Sequence, residues 1–153
     1  MTLSGHDRSA RIVARLLEGV SVLAADDDPD SLELVADVMS DEGATVRTAQ
    51  GAREALGILH EWKPDVLLLD ISMPYMDGYE LLSAIRSLTD SDNVPAVAVT
   101  GHAYQSDKDR ALAVGFEAHL SKPFELTALI ETVRRLASRP APTTADPGTG
   151  SQG

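Results

Sequence analysis

A doubly wound α/β sandwich, a five-stranded parallel sheet between two helical layers, is the fold this sequence predicts. Three observations predict it. Strand-length apolar runs alternate with segments of helical period from residue 20 to residue 137, with little slack between them. Two of those runs, Val20-Ser21-Val22-Leu23-Ala24-Ala25 and Val66-Leu67-Leu68-Leu69, lack the polar alternation of a half-exposed strand, which is the pattern of a strand covered on both faces. Successive strand-helix pairs joined by right-handed crossovers place helices on both sides of the sheet.

Each element has its own signal. After the first strand, Asp28-Pro29 offers an N-cap and a proline suited to the first helical position. Leu34, Val35, Val38 and Met39 recur at helical spacing behind it, and Gly43 closes that helix. Ala44 to Thr48 reads as a short second strand, and Ala52 to Trp62 as a second helix with Ala55, Leu56 and Leu59 on one side. Pro64 bars its continuation into the third strand. The loop Ser72-Met73-Pro74-Tyr75-Met76-Asp77-Gly78 precedes a third helix carrying Leu81, Leu82 and Ile85, and Pro95 to Val99 forms a fourth strand ending at Thr100-Gly101. Tyr104 to Val114 is a helix poor in large apolar residues, a candidate for a mobile element. Phe116 to Leu120 gives a fifth strand, and Ser121-Lys122-Pro123 leads into a last helix striped with Leu126, Leu129, Ile130, Val133 and Leu136.

The ends differ in character. Residues 1–19 form an extension whose residues 6–18 read as an amphipathic helix, with Ile12, Val13, Leu16 and Leu17 on one side and Gly19 as its stop. Residues 20–137 make one domain, and residues 138–153, rich in Pro, Ala, Thr and Gly, are expected to be disordered. The 153 residues include no cysteine, which removes disulfides and zinc-thiolate sites. A formal net charge of -11 argues against non-specific nucleic-acid binding. No signal peptide and no apolar stretch of membrane-spanning length is present, so a cytoplasmic module without a membrane partner is expected.

Chemistry gathers at the strand ends. The first strand stops at Asp26-Asp27-Asp28 and the third at Asp70. Ligands of parallel α/β sheets bind at the carboxyl ends of the strands, so both acidic groups share one edge. Clustered carboxylates resist ionising together unless a cation joins them, and a hard divalent ion such as Mg²⁺ suits oxygen ligands. Asp28 is better suited to capping the first helix than to a metal.

Asp26-Asp27 after the first strand, Asp70 with Met73-Pro74 and Asp77-Gly78 behind it, Thr100, and Lys122-Pro123-Phe124 occur in order, each at a strand end. This conjunction over residues 20–137 resembles the receiver domain of bacterial response regulators, and implies a flavodoxin-like (βα)5 fold. The resemblance implies that Asp70 accepts a phosphoryl group from a histidine kinase or histidine phosphotransfer protein. It implies Mg²⁺ held by Asp27, Asp70 and the Ser72 backbone carbonyl, with Asp26 acting through a water or from behind. Lys122 would pair with Asp70 before transfer and with phosphoryl oxygens afterwards, and Thr100 would move to hydrogen-bond them. The Lys122-Pro123 bond is a candidate cis peptide. Ser72 and His102 lie where the family tunes phosphoaspartate lifetime. His119 stands where the family often has Tyr or Phe, so a switch there would be polar and titratable.

The function implied is a phosphorylation-operated switch of a two-component phosphorelay, not an enzyme with an external substrate, read by a downstream protein on the face of the fourth helix, fifth strand and last helix. A homodimer is possible in that class. With 16 residues after 137, no DNA-binding output domain is expected in this chain. The alternatives are the terminal receiver of a hybrid sensor kinase, a haloacid-dehalogenase-like phosphatase, or a degenerate constitutive binding module. The phosphatase wants a second acid two positions after the nucleophile, where this chain has Ser72.

Overall fold

The structure, a computed structural model, describes residues 15–88, 93–101 and 105–138, with the side chains of 105–108 excepted. Its order is β1 (Ser21–Ala25), α1 (Pro29–Asp41), β2 (Thr45–Ala49), α2 (Ala52–Glu61), β3 (Val66–Asp70), α3 (Gly78–Arg86), β4 (Ala96–Thr100), α4 (Gln105–Val114), β5 (Ala118–Ser121) and α5 (Leu126–Ala137). All strand pairings are parallel, in the order β2-β1-β3-β4-β5. The order reverses direction between β1 and β3, and a crevice opens there at the carboxyl ends.

Strand periodicity sorts the core into two. Leu23, Leu67, Leu69, Ala96 and Ala98 point to the side covered by α2, α3 and α4. Val22, Ala24, Val66, Leu68, Val97 and Val99 point to the side covered by α1 and α5. Every residue of β3 and β4 is buried, which is why those runs show no polar alternation.

Local chemistry sets the element ends. Asp28 caps α1 by accepting the Asp30 N–H at 3.0 Å, and the Ser31 hydroxyl donates to it at 3.0 Å. Pro29 fills the first helical position, as expected. Ala44 is still tied to the helix, its N–H donating to the Met39 carbonyl, so β2 starts one residue later than the sequence suggests. Gly115, at φ +121, ends α4 in the left-handed region, and ladder pairing resumes when the Glu117 N–H reaches the Ala96 carbonyl. Phe116 consequently stands before β5 as a core residue, edge-on to Tyr79 at 6.3 Å.

One core expectation is corrected. Leu34 is 53% exposed, and Leu32 takes its place on the buried stripe with Val35 and Met39. Residues 32, 35 and 39 fall on one side of α1, and the sheet lies under that side. Leu17, from the N-terminal extension, is fully buried against the α1–α5 core, and residues 16–19 form a turn closed by Gly19 at φ +81. The rest of the predicted N-terminal helix, and the tail from 139, lie outside the described residues.

Candidate functional site

Three loops deliver the site. β1 extends its pairing one residue beyond the strand, where the Asp26 N–H donates to the Ala49 carbonyl at 3.0 Å. This fixes Asp26 at the sheet edge, buried, with Asp27 exposed beside it. Asp70 is the last residue of β3 and only 4% exposed. Thr100 ends β4, buried, and its carbonyl accepts the Lys122 N–H at 2.7 Å, which ties the β5–α5 turn to the same edge. The Lys122-Pro123 peptide is cis.

Carboxylate oxygens of Asp26, Asp27 and Asp70 lie within 4.8 Å of one another. Asp70 Oδ1 accepts the Ser72 N–H at 3.0 Å, and Asp26 Oδ1 accepts the Asp28 N–H at 2.9 Å. Lys122 Nζ donates to Asp26 Oδ2 at 2.8 Å and stands 3.8 Å from Asp70 Oδ2. The ammonium therefore bridges both buried acids, but its short contact is with Asp26, where the sequence reading paired it with Asp70.

The electrostatics follow from that crowding. Burial pushes the Asp70 carboxyl up to about 6; the Ser72 N–H pulls against this, the Asp26 carboxylate adds to it, and Lys122 opposes it. Burial alone would lower the Lys122 ammonium, yet the hydrogen bond to Asp26 and the charges of Asp70, Asp26 and Asp28 outweigh it and hold it above its ordinary value. Asp28 moves the other way. Its Ser31 and Asp30 donors hold it below the usual carboxylate range, as a helix cap requires. A buried acid whose carboxyl is raised by burial and by its acidic neighbour, with two more carboxylates in reach, fits a hard divalent cation with oxygen ligands.

The loop after Asp70 is clamped from below, a role the sequence reading did not see. A Cβ on Gly78 would stand 2.7 Å from the Asp70 carbonyl oxygen and 2.8 Å from Ile71 Cα. Only glycine lets α3 approach this closely, and the Gly78 N–H uses the approach to donate to the Ile71 carbonyl at 3.0 Å. Asp77 caps the helix in a capping box with Glu80. The backbone that aims Asp70 is thus held by the start of the next helix. The Asp77-Gly78 pair was the available signal.

The remaining residues are placed as follows. Ser72 is exposed and meets Asp70 through its backbone N–H. His119 is half-buried on β5, in register with Ala98, two residues before the end of the strand. His102 lies outside the described residues. A cavity of about 440 Å³ opens beside the acids, between α1 and the start of α5. Ala24, Leu68 and Val99 line it, Asp26 and Lys122 stand at its polar end, and Leu34 and Leu126 are half-exposed on its rim.

Residues 22–134 match the family model described as response regulator receiver domain. The chain is 40% identical over 119 residues to an uncharacterised 14.6 kDa protein in the sodA1 3′ region of Leptolyngbya boryana, covering 78% of this chain and 91% of that one. It is 37% identical over 122 residues to the sensor histidine kinase RcsC of Salmonella typhi, covering 80% of this chain but 13% of the kinase. Among solved structures, the chemotaxis response regulator CheY4 of Vibrio cholerae superposes with a TM-score of 0.73 at 32% identity, covering 76% of this chain and 98% of that one.

Proposed function

The chain belongs to the response regulator receiver domain family, and on that premise we propose that Asp70 is the residue through which it receives its phosphoryl group. The observation that carries this is the placement of Asp70: buried at the end of β3, within 4.8 Å of the Asp26 and Asp27 oxygens, and 3.8 Å from Lys122 Nζ. Receiver domains are signalling modules of two-component systems and not conventional enzymes. Self-catalysed acylphosphate formation on Asp70 is the finer reading proposed for this chain.

In that reading an Asp70 carboxylate oxygen bonds to phosphorus, the P–N bond of a donor phosphohistidine breaks, and the electron pair leaves with the imidazole nitrogen. Asp26, Asp27, Asp70 and the Ser72 carbonyl are the groups that would hold Mg²⁺, which supplies positive charge against an anionic reacting group and a template for in-line transfer. Lys122 neutralises Asp26 and Asp70 in the resting site and lies close enough to turn to a phosphoryl oxygen. The Ser72 N–H orients Asp70 through its Oδ1. Thr100 would sense the new group, and the bond from the Lys122 N–H to its carbonyl offers a route by which both would shift together. Ser72 and His102 are proposed to set the lifetime of the adduct, and His119 to take part in the switch. A kinase or phosphotransfer protein is the proposed donor, and the α4–β5–α5 face the proposed readout surface, as a monomer or homodimer.

Relatives occur in both settings, a short protein spanned almost completely and a sensor histidine kinase of which the match covers 13%. No helix among the described residues is long and apolar enough to cross a membrane. The complete set of acids, threonine and lysine speaks against a degenerate module, and membership of the receiver family displaces the phosphatase reading.

Incubation with acetyl phosphate and Mg²⁺ tests the proposal. A base-labile adduct that needs both the cation and Asp70 is the expected result. An adduct that survives Asp70→Asn, or none with the native chain, contradicts it.

A further inference from the structure

The cavity beside the acids is made by small residues. β1 contributes Ala24 where its register partner on β3 is Leu68 and the next strand has Val97, so the floor under α1 and the start of α5 dips at β1. Gly101, also on the lining, leaves open space where a Cβ would stand. The resulting volume of about 440 Å³ falls within the range of roughly 300 to 1,000 Å³ typical of small-molecule sites. Its walls are apolar, and Leu34 and Leu126 remain 53% and 37% exposed at its mouth. Its polar end is negative. Asp26 lines it, the Asp27 and Asp70 oxygens lie within 4.8 Å of those of Asp26, and the Asp28 N–H ties that residue to Asp26 Oδ1 at 2.9 Å. Lys122 offsets one of these four carboxylates, and among the described residues no other lysine or arginine lines the cavity. Exposed Asp30, Glu33 and Asp37 continue the negative field along α1.

We propose that this cavity binds a small amphipathic cation, with an apolar body seated between α1 and Phe124 and an ammonium head at the Asp26 end. Shape and charge each select one part of that ligand. The body removes apolar wall and the exposed faces of Leu34 and Leu126 from water, which is the main source of affinity in such a site. The head answers the surplus of negative charge that Lys122 leaves. An anionic head would face that surplus, and an uncharged head would leave it unmet. There is room for the contact. Asp26 Oδ1 holds the Asp28 N–H and Oδ2 holds Lys122 Nζ, and each carboxylate oxygen can accept a second donor, so the head joins Lys122 without evicting it. The proposal goes beyond the phosphoacceptor reading and does not depend on it, since binding is read with no phosphoryl donor present.

Three probes with one body and three heads test it: phenylbutylamine, phenylbutanol and phenylbutyrate, each titrated into the isotope-labelled full chain and followed by amide NMR. The amine should give saturable shifts at Leu32 to Val35 and Phe124 to Leu126, and leave α2 and α3 in place. The alcohol should shift the same amides with roughly tenfold weaker affinity, and the carboxylate should shift none of them. Asp26→Asn, which keeps the shape of the cavity, should remove most of the preference for amine over alcohol. Leu34→Lys with Leu126→Lys, both at half-exposed positions, should abolish the amine shifts while the other amides keep their native positions. Equal affinity for the three heads, tightest binding of the carboxylate, or shifts without saturation or away from the cavity would overturn the proposal. So would an amine preference that survives Asp26→Asn.

Discussion

Two loops at the same edge of the sheet each place an aspartate at a turn, and the two carboxylates behave in opposite ways. In the β1–α1 loop, Asp28 is exposed, collects donors from Asp30 and Ser31, and is held below the usual carboxylate range. In the β3–α3 loop, Asp70 is buried, meets one backbone donor, stands beside Asp26, and is pushed up to about 6. Asp28 has done its work once α1 has started. Asp70 retains an unmet demand for positive charge, and that demand is the chemical capacity of the site. The same residue type serves as a cap at Asp28 and is the proposed reactive group at Asp70, according to how many donors reach it and how much water is removed.

The comparison can be broken by substitution. Asp70→Asn should abolish phosphorylation by acetyl phosphate completely while the fold persists, and a labelled-phosphate assay beside a circular dichroism spectrum reads both. Asp28→Ala should leave phosphorylation at the native level.

The β3–α3 loop should be far less tolerant of backbone change. Gly78→Ala drives a methyl against the Asp70 carbonyl oxygen and Ile71 Cα. Overpacking against backbone of this kind costs about 3 kcal/mol, readable as a lower urea midpoint at unchanged slope. A variant as stable as the native chain would show that the clamp is slack.

The two aspartates should also respond oppositely to pH. Asp70 has a folded pKa of about 6, above its unfolded value near 3.9, so the folded chain holds the extra proton between those values. Its contribution to stability therefore falls as pH rises from about 4 to about 6. Asp70→Asn should remove that slope, and saturating Mg²⁺ should flatten it by favouring the ionised form. Asp28, with a lowered pKa, contributes stability above its unfolded pKa and loses it only as pH falls through its folded value. Urea midpoints of the native chain and Asp70→Asn from pH 4 to pH 7 check the sign.

The smallest effect belongs to the cap. Asp28→Ala should lower the urea midpoint only slightly, with the loss confined to the start of α1 in hydrogen exchange.

The two loops were also unequally legible in the sequence. The Asp28-Pro29 cap is written in adjacent residues, and so are the strand ends at Asp26 and Asp70, because a buried apolar run that stops at a carboxylate marks both an element and a sheet edge. The order of elements followed from the same local signals. What escaped was set by tertiary approach. Leu32 and Leu34 both fit a helical stripe, and only the position of the sheet decides that Leu32 is the buried one. The Lys122–Asp26 contact joins residues 96 positions apart, and nothing local decides which of two neighbouring acids takes the ammonium. Gly78 looked like loop punctuation until the distance to the Asp70 carbonyl gave its reason. His102 falls outside the described residues, and the roles of Ser72 and His119 turn on a phosphorylated state.

The most direct measurement traps the adduct chemically. Treating the phosphorylated chain with borohydride reduces a phosphoaspartate to homoserine, and peptide mass spectrometry then locates it. The account predicts homoserine at position 70 alone, dependent on Mg²⁺ during phosphorylation. Homoserine at position 26 or 27, or a phosphorylated chain that yields none, would contradict it.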